Sequence, residues 1–132
     1  MSDGKKKILV IEDSPSLAES LEDMLRLNGF EPIITVTGQD GVDAALEHHP
    51  SLILLDIRLP DIDGYEVFHQ IRADEWGKTA NIIVLTASES TDIVAKNINL
   101  DSGDVLFKPD WSIRALLEVI RERLTRSSTQ DV

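Results

Sequence analysis

SLILLDIRLPDIDG (residues 51–64) is the stretch on which the reading of the fold turns. Leu52, Ile53, Leu54 and Leu55 form an unbroken apolar run, the pattern of a strand buried on both faces of a parallel sheet. The run stops at Asp56, so a carboxylate stands where a core strand emerges from the fold. In open parallel sheets, ligands bind in the crevice at the carboxyl ends of the strands. Pro60 and Gly64 shape the loop before the next helix. A lone aspartate here also reads as a polar strand terminus. The other strand ends decide between the two.

Upstream, residues 8–11 (ILVI) read as a first strand that ends at Glu12 and Asp13. Ser14-Pro15 has the form of a cap followed by proline in the first helical turn. Leu17, Leu21, Met24 and Leu25 recur at helical spacing until Asn28-Gly29 stops them. Ser16 to Glu19 adds a weak helix-start signal. Residues 30–36 predict a second strand, placed at a sheet edge by Pro32. Val42, Ala45 and Leu46 mark a short second helix before Pro50. Downstream, Tyr65, Val67, Phe68 and Ile71 predict a third helix over about residues 65–74. Residues 81–85 (NIIVL) read as a fourth strand ending at Thr86. Ile93, Val94 and Ile98 support a weaker fourth helix, and residues 104–107 a short fifth strand ending at Lys108-Pro109. Ile113, Leu116, Leu117, Ile120 and Leu124 form the most regular helical stripe.

Five strand–helix alternations imply right-handed crossovers and a doubly wound α/β fold, a parallel sheet with helices on both faces. A chain of 132 residues accommodates one such domain, with a core over about residues 5–125 and a frayed polar tail over 126–132. The net charge of −11 opposes binding to nucleic acid or anionic membrane and suits cations and basic partners. Without cysteine there is neither a disulfide framework nor a thiolate site. The apolar run near the start is too short for a signal peptide, and none approaches a membrane span. The expected location is the cytoplasm.

Glu12 and Asp13, Asp56, Thr86 and Lys108 thus stand at four strand ends. Parallel strands bring those ends to one edge. Carboxylates gathered there repel one another unless a cation intervenes, and Mg²⁺ commonly takes one or two carboxylates, waters and a phosphate oxygen. A lysine opposite supplies fixed positive charge for an anion, and a threonine hydroxyl donates to the same anion. Together these residue types describe phosphoryl transfer onto an aspartate. Each also has a bland reading: Asp13 as a helix-start acid, Thr86 as a strand former, Lys108 as surface solvation. Their joint placement at strand ends favours the chemical one.

ILVIEDS, LLDIRLPDIDG, VLTAS and FKP, in that order, resemble the receiver domains of two-component response regulators over essentially residues 5–124. The resemblance implies a flavodoxin-like (βα)5 sheet of strand order 2-1-3-4-5. It implies that Asp56 accepts a phosphoryl group from a histidine kinase phosphohistidine. Glu12, Asp13, Asp56 and the backbone carbonyl of Arg58 would hold Mg²⁺, with Mn²⁺ as the alternative ion. Lys108 would contact the phosphoryl group, Thr86 would move toward it, and Ala87 would leave room for its oxygens. Lys108-Pro109 would carry a cis peptide. Arg58 and Ser88 occupy positions where family members tune loss of the phosphoryl group, and Arg58 is expected to shield the acyl phosphate from water.

The chain departs from the family pattern in places. Val105 replaces the aromatic residue that often partners the threonine switch, Asp101-Ser102-Gly103-Asp104 replaces the usual segment before the fifth strand, and Asp110 follows Pro109 where an apolar residue is usual. With few residues after the last helix, the expectation is a stand-alone receiver, monomeric or weakly dimeric. It would signal through a protein partner at the fourth-helix, fifth-strand, fifth-helix face, with no direct nucleic-acid or membrane contact. Its phosphodonor is a sensor histidine kinase or a histidine phosphotransfer protein. It would be a phosphoacceptor with only self-directed phosphotransfer and autodephosphorylation, not an enzyme.

Three other readings compete. One is a phosphorelay intermediate and another a degenerate receiver that binds partners without phosphorylation. The third is a haloacid-dehalogenase-type phosphatase, disfavoured because Arg58 stands where that class places its second acid. His48 and His49 before Pro50, and His69 on a helix, read as surface or dipole-stabilising residues, not metal ligands. Trp76 and Trp111 read as packing or surface residues, since no basic groove accompanies them.

Overall fold

The computed structural model describes residues 4–86, 105–107 and 112–130, with side chains over 4–85 and 112–125. The strands are β1 (Lys7–Ile11), β2 (Glu31–Thr35), β3 (Leu52–Asp56), β4 (Ile82–Thr86) and β5 (Val105–Phe107). The helices are α1 (Pro15–Leu27), α2 (Gly38–His48), α3 (Gly64–Ala73), a short 3-10 helix (Trp76–Thr79) and a last helix (Ile113–Gln130). All strand pairs are parallel, in the order β2-β1-β3-β4-β5 of a flavodoxin-like sheet. The predicted fourth helix around Ile93 lies outside the described residues.

Alternation along the strands explains why β3 is apolar at every core position. Leu9, Ile11, Ile53, Leu55, Ile82 and Val84 face Val42 and Ala45 of α2 and Val67, Phe68 and Ile71 of α3. Ile8, Val10, Leu52, Leu54, Ile83 and Leu85 face Leu21, Met24 and Leu25 of α1 and Leu116, Ile120 and Leu124 of the last helix. Right-handed crossovers dictate this division. The chain steps from β1 outward to β2 and then back past β1 to β3, so α1 and α2 must cover opposite faces. The reversal lies between β1 and β3, which is the switch point of the sheet.

Pro32 sits in edge strand β2, as its missing N–H requires. Helix α1 starts at Pro15 with Ser14 as N-cap, so Ser16 lies within the helix and is not its cap. The Ser14 hydroxyl makes no capping bond; its backbone N–H instead donates to Glu12 Oε2 at 3.1 Å. The 3-10 turn after α3 was not expected from sequence. Arg72 braces it, donating to the carbonyls of Gly77 (2.7 Å) and Ala80 (2.8 Å) while lying over the Phe68 ring. The last helix runs on to Gln130, past the point where the apolar stripe ends and a frayed tail was expected. Extending an existing helix is far less costly than nucleating one.

Candidate functional site: an acidic cluster at the switch point

Register brings the acids together. Ile11 pairs with Leu55, so one further step along each strand sets Glu12 beside Asp56. Glu12 prolongs the β1 ladder, its N–H donating to the Thr35 carbonyl at 3.0 Å. Asp13 follows in the connection to α1. Glu12 and Asp56 are buried, 1% and 3% exposed, whereas Asp13 is open to solvent. Each of the three offers a carboxylate oxygen within 4.8 Å of the others. Two ionised carboxylates at that separation repel by roughly 3 kcal/mol at an effective dielectric near 20.

The donor set is all oxygen, two of its members are inside the fold, and no cysteine or imidazole belongs to it. This chemistry suits a hard divalent cation. Among the described residues, this is the one group of acids and imidazoles arranged to hold an ion.

Asp56 is oriented by its own loop: the Arg58 N–H donates to Asp56 Oδ1 at 3.0 Å. The Ile57 N–H continues the ladder to the Leu85 carbonyl (3.2 Å), and the Gly64 N–H returns to the Ile57 carbonyl (2.9 Å), closing the loop before α3. Asp63 caps α3, accepting from the Tyr65 N–H at 2.8 Å. The Arg58 side chain is exposed. An open cavity of about 410 Å³ lies along this loop, lined by Arg58, Leu59, Ile62 and Tyr65 among others, and not over the three acids.

Sequence reading overlooked Asp61. Its carboxylate crosses to the start of α2 and accepts from the N–H groups of Gly38 (2.7 Å) and Gln39 (2.9 Å). Thr37 Oγ1 accepts from the next N–H, that of Asp40, at 3.2 Å. The first three amides of α2 are therefore satisfied, two by a residue 23 or 22 positions away. Those bonds hold the Asp61 carboxyl below its ordinary range. No local motif announces such a contact; only the fold brings the two loops together.

Thr86 ends β4, with Asp56 paired to its neighbour Leu85, and Val105 begins β5 opposite Val84. Ala87, Ser88, Lys108 and Pro109, with the expected cis peptide, lie outside the described residues, as does Trp111. The histidines stand apart from the acids. His49 adopts a left-handed conformation (φ 46°) at the end of α2 and stacks on Trp76, ring centroids 4.6 Å apart. His48 lies 3.4 Å from Glu47, and His69 meets Phe68 edge-on.

The model of the response regulator receiver domain family matches residues 8–121, and the chain belongs to that family. Its family function is that of a phosphoacceptor in two-component signalling. The DNA-binding response regulator MtrA of Mycolicibacterium smegmatis is 37% identical over 128 residues, which cover 96% of this chain and 54% of that protein. The response regulator ArlR of Staphylococcus aureus is 35% identical over 126 residues, covering 96% and 56%. The chain thus spans about half the length of these curated relatives. A CheY-like receiver domain protein from Methanospirillum hungatei superposes with a TM-score of 0.83 at 25% identity, over 96% of this chain and 99% of that one. The receiver domain of a sensor histidine kinase from Pseudomonas aeruginosa superposes at 0.81 and 27%, over 92% and 99%. That structure holds a magnesium ion coordinated in its active-site cleft. Among the described residues, no helix is long and apolar enough to cross a membrane.

Proposed function

We propose that Asp56 accepts a phosphoryl group from a phosphohistidine of a sensor histidine kinase or phosphotransfer protein, and that the new charge switches a protein-binding surface. The observation that carries this reading is the trio Glu12, Asp13 and Asp56, gathered at the switch point in a chain of the receiver family. An Asp56 carboxylate oxygen attacks phosphorus; a P–O bond forms as the P–N bond breaks, and the imidazole departs with the electron pair and takes up a proton. The Arg58 N–H on Oδ1 orients the carboxylate for that attack. Glu12, Asp13, Asp56 and the Arg58 carbonyl would hold Mg²⁺, or Mn²⁺ in its place. A cation held there would supply positive charge to the acids and to the transferring oxygens.

Lys108, Thr86 and Ala87 are assigned to the phosphoryl group, and Arg58 with Ser88 to its lifetime. Val105 in place of an aromatic ring leaves the switch to Thr86 and the loops. Output is assigned to the face that the predicted fourth helix would form with β5 and the last helix, and a covalent charge can bias it by ordering the adjoining loops. DNA binding, named for the mycobacterial relative, is not assigned to these residues, because a net charge of −11 repels a phosphate backbone.

The test is intact-mass spectrometry after incubation with acetyl phosphate and Mg²⁺. A base-labile adduct of one phosphoryl group is expected on wild type, absent without Mg²⁺ and absent from Asp56→Asn. No adduct on a folded wild type, together with no binding of beryllofluoride, would sink the reading.

A further inference from the structure

The loop joining β3 to α3 is held at three points. Its start is tied to Asp56 itself through the Arg58 N–H, and its end is closed by Gly64 and the Asp63 cap. Its middle is tied to another part of the chain altogether, through the two bonds from Asp61 to the first amides of α2. Apolar packing reinforces the tie: a Cβ built on Gly38 would lie 2.5 Å from Ile62 Cγ1, so the chain at Gly38 sits hard against the residue after Asp61. Both carboxylate oxygens are engaged, and ionised acceptors at a helix N-terminus form the stronger kind of hydrogen bond.

We infer that Asp61 is a positioning residue for the phosphoacceptor site, holding the 57–63 loop so that Arg58 presents its backbone to Asp56 and to the cation. This rests on the metal reading above and goes beyond it, because Asp61 touches neither the ion nor the phosphoryl group. Without the two Asp61 bonds, the middle of the loop keeps only the apolar packing of Leu59 and Ile62, which is non-directional and does not fix the backbone as hydrogen bonds do. The cost then falls on the cation, whose binding has to order the Arg58 backbone. Coupling also runs the other way, because whatever displaces the start of α2 acts on the same loop.

The experiment compares wild type, Asp61→Ala, Asp61→Asn and Asp74→Ala by Mg²⁺ calorimetry and by amide exchange at Arg58 in metal-free protein. Asp74, just past the end of α3, accepts from the Trp76 N–H at 2.9 Å, and so controls for the loss of a carboxylate–amide bond remote from the acids. Asp61→Ala is expected to weaken Mg²⁺ binding roughly tenfold, the lower end of what outer partners of metal ligands contribute, and to speed Arg58 exchange. Asp61→Asn, which keeps one acceptor oxygen, should recover part of both, and Asp74→Ala should match wild type. Asp61→Asn carries the test should Asp61→Ala not fold: wild-type Mg²⁺ binding and Arg58 exchange in Asp61→Asn would then overturn the inference. Wild-type values in Asp61→Ala, or equal losses in Asp61→Ala and Asp74→Ala, would overturn the inference. Faster Arg58 exchange in Asp61→Ala with no Mg²⁺ binding by wild type would instead overturn the metal reading and leave the clamp standing.

Discussion

Asp61 and Asp56 show how differently one side chain can be used within six residues. Asp56 is carried into the protein on a core strand, where only partners or a counter-ion make a carboxylate tolerable. Asp61 stays at the surface and spends its charge on two backbone amides. Its folded-state pKa lies below the ordinary 3.8, so the unfolded chain binds the proton more readily. The stabilisation from Asp61 is therefore complete above that value and is lost as pH falls below it toward the folded-state pKa. Melting curves of wild type and Asp61→Ala should differ near neutral pH and converge on acidification. A gap that persists below the folded-state titration would refute the charge-assisted clamp. Nothing in the sequence around Asp61 announces its contact with the start of α2; Asp56, by contrast, was legible because an apolar run ends on it.

At the scale of elements, β3 and the start of α3 do most to position the site. Leu54 is fully buried between the sheet and the helices α1 and Ile113–Gln130. Leu54→Ala should cost about 2–5 kcal/mol in urea unfolding, by transfer and cavity terms together. Gly64 gives a sharper test, because two local rules disagree. Helix propensity says that Gly64→Ala at the start of α3 stabilises by up to about 1 kcal/mol. Packing says the reverse: the added Cβ would lie 2.5 Å from Ile57 Cα and 2.7 Å from the Asp56 carbonyl oxygen. These are backbone atoms that cannot step aside without moving the loop. Gly64→Ala should therefore destabilise by about 1–3 kcal/mol and slow phosphorylation by acetyl phosphate. Greater stability on urea unfolding would show that the close approach is not real.

The whole molecule carries 24 acidic against 13 basic residues, and Glu12, Asp13 and Asp56 gather at the carboxyl ends of β1 and β3. Screening by salt should raise its melting temperature generally, since net charge opposes compaction. A cation held by the trio adds a second, specific contribution. A ligand at a hundred times its Kd stabilises by about 2.7 kcal/mol, which means several degrees for a domain of this size. Mg²⁺ at constant ionic strength should therefore raise the melting temperature of wild type, and that of Asp13→Asn much less, while NaCl raises both alike. Equal responses to Mg²⁺ would mean that the ion acts only through screening.

By itself the sequence determined the alternation of strands and helices, the edge position of β2 and the strand ends at which Glu12, Asp13 and Asp56 fall. Those features follow from local rules: apolar runs, helical spacing, and proline without a donor. Tertiary structure alone decided that Glu12 is buried while its neighbour Asp13 is not, that Arg72 braces a 3-10 turn, that His49 stacks on Trp76, and that Asp61 clamps α2. The Arg72 brace is a short-range contact without a recognised local pattern; the others depend on the register between strands or on contacts between segments far apart in the chain. Such contacts have no period in the chain, and the long-range ones exist only once the sheet has set its strands side by side.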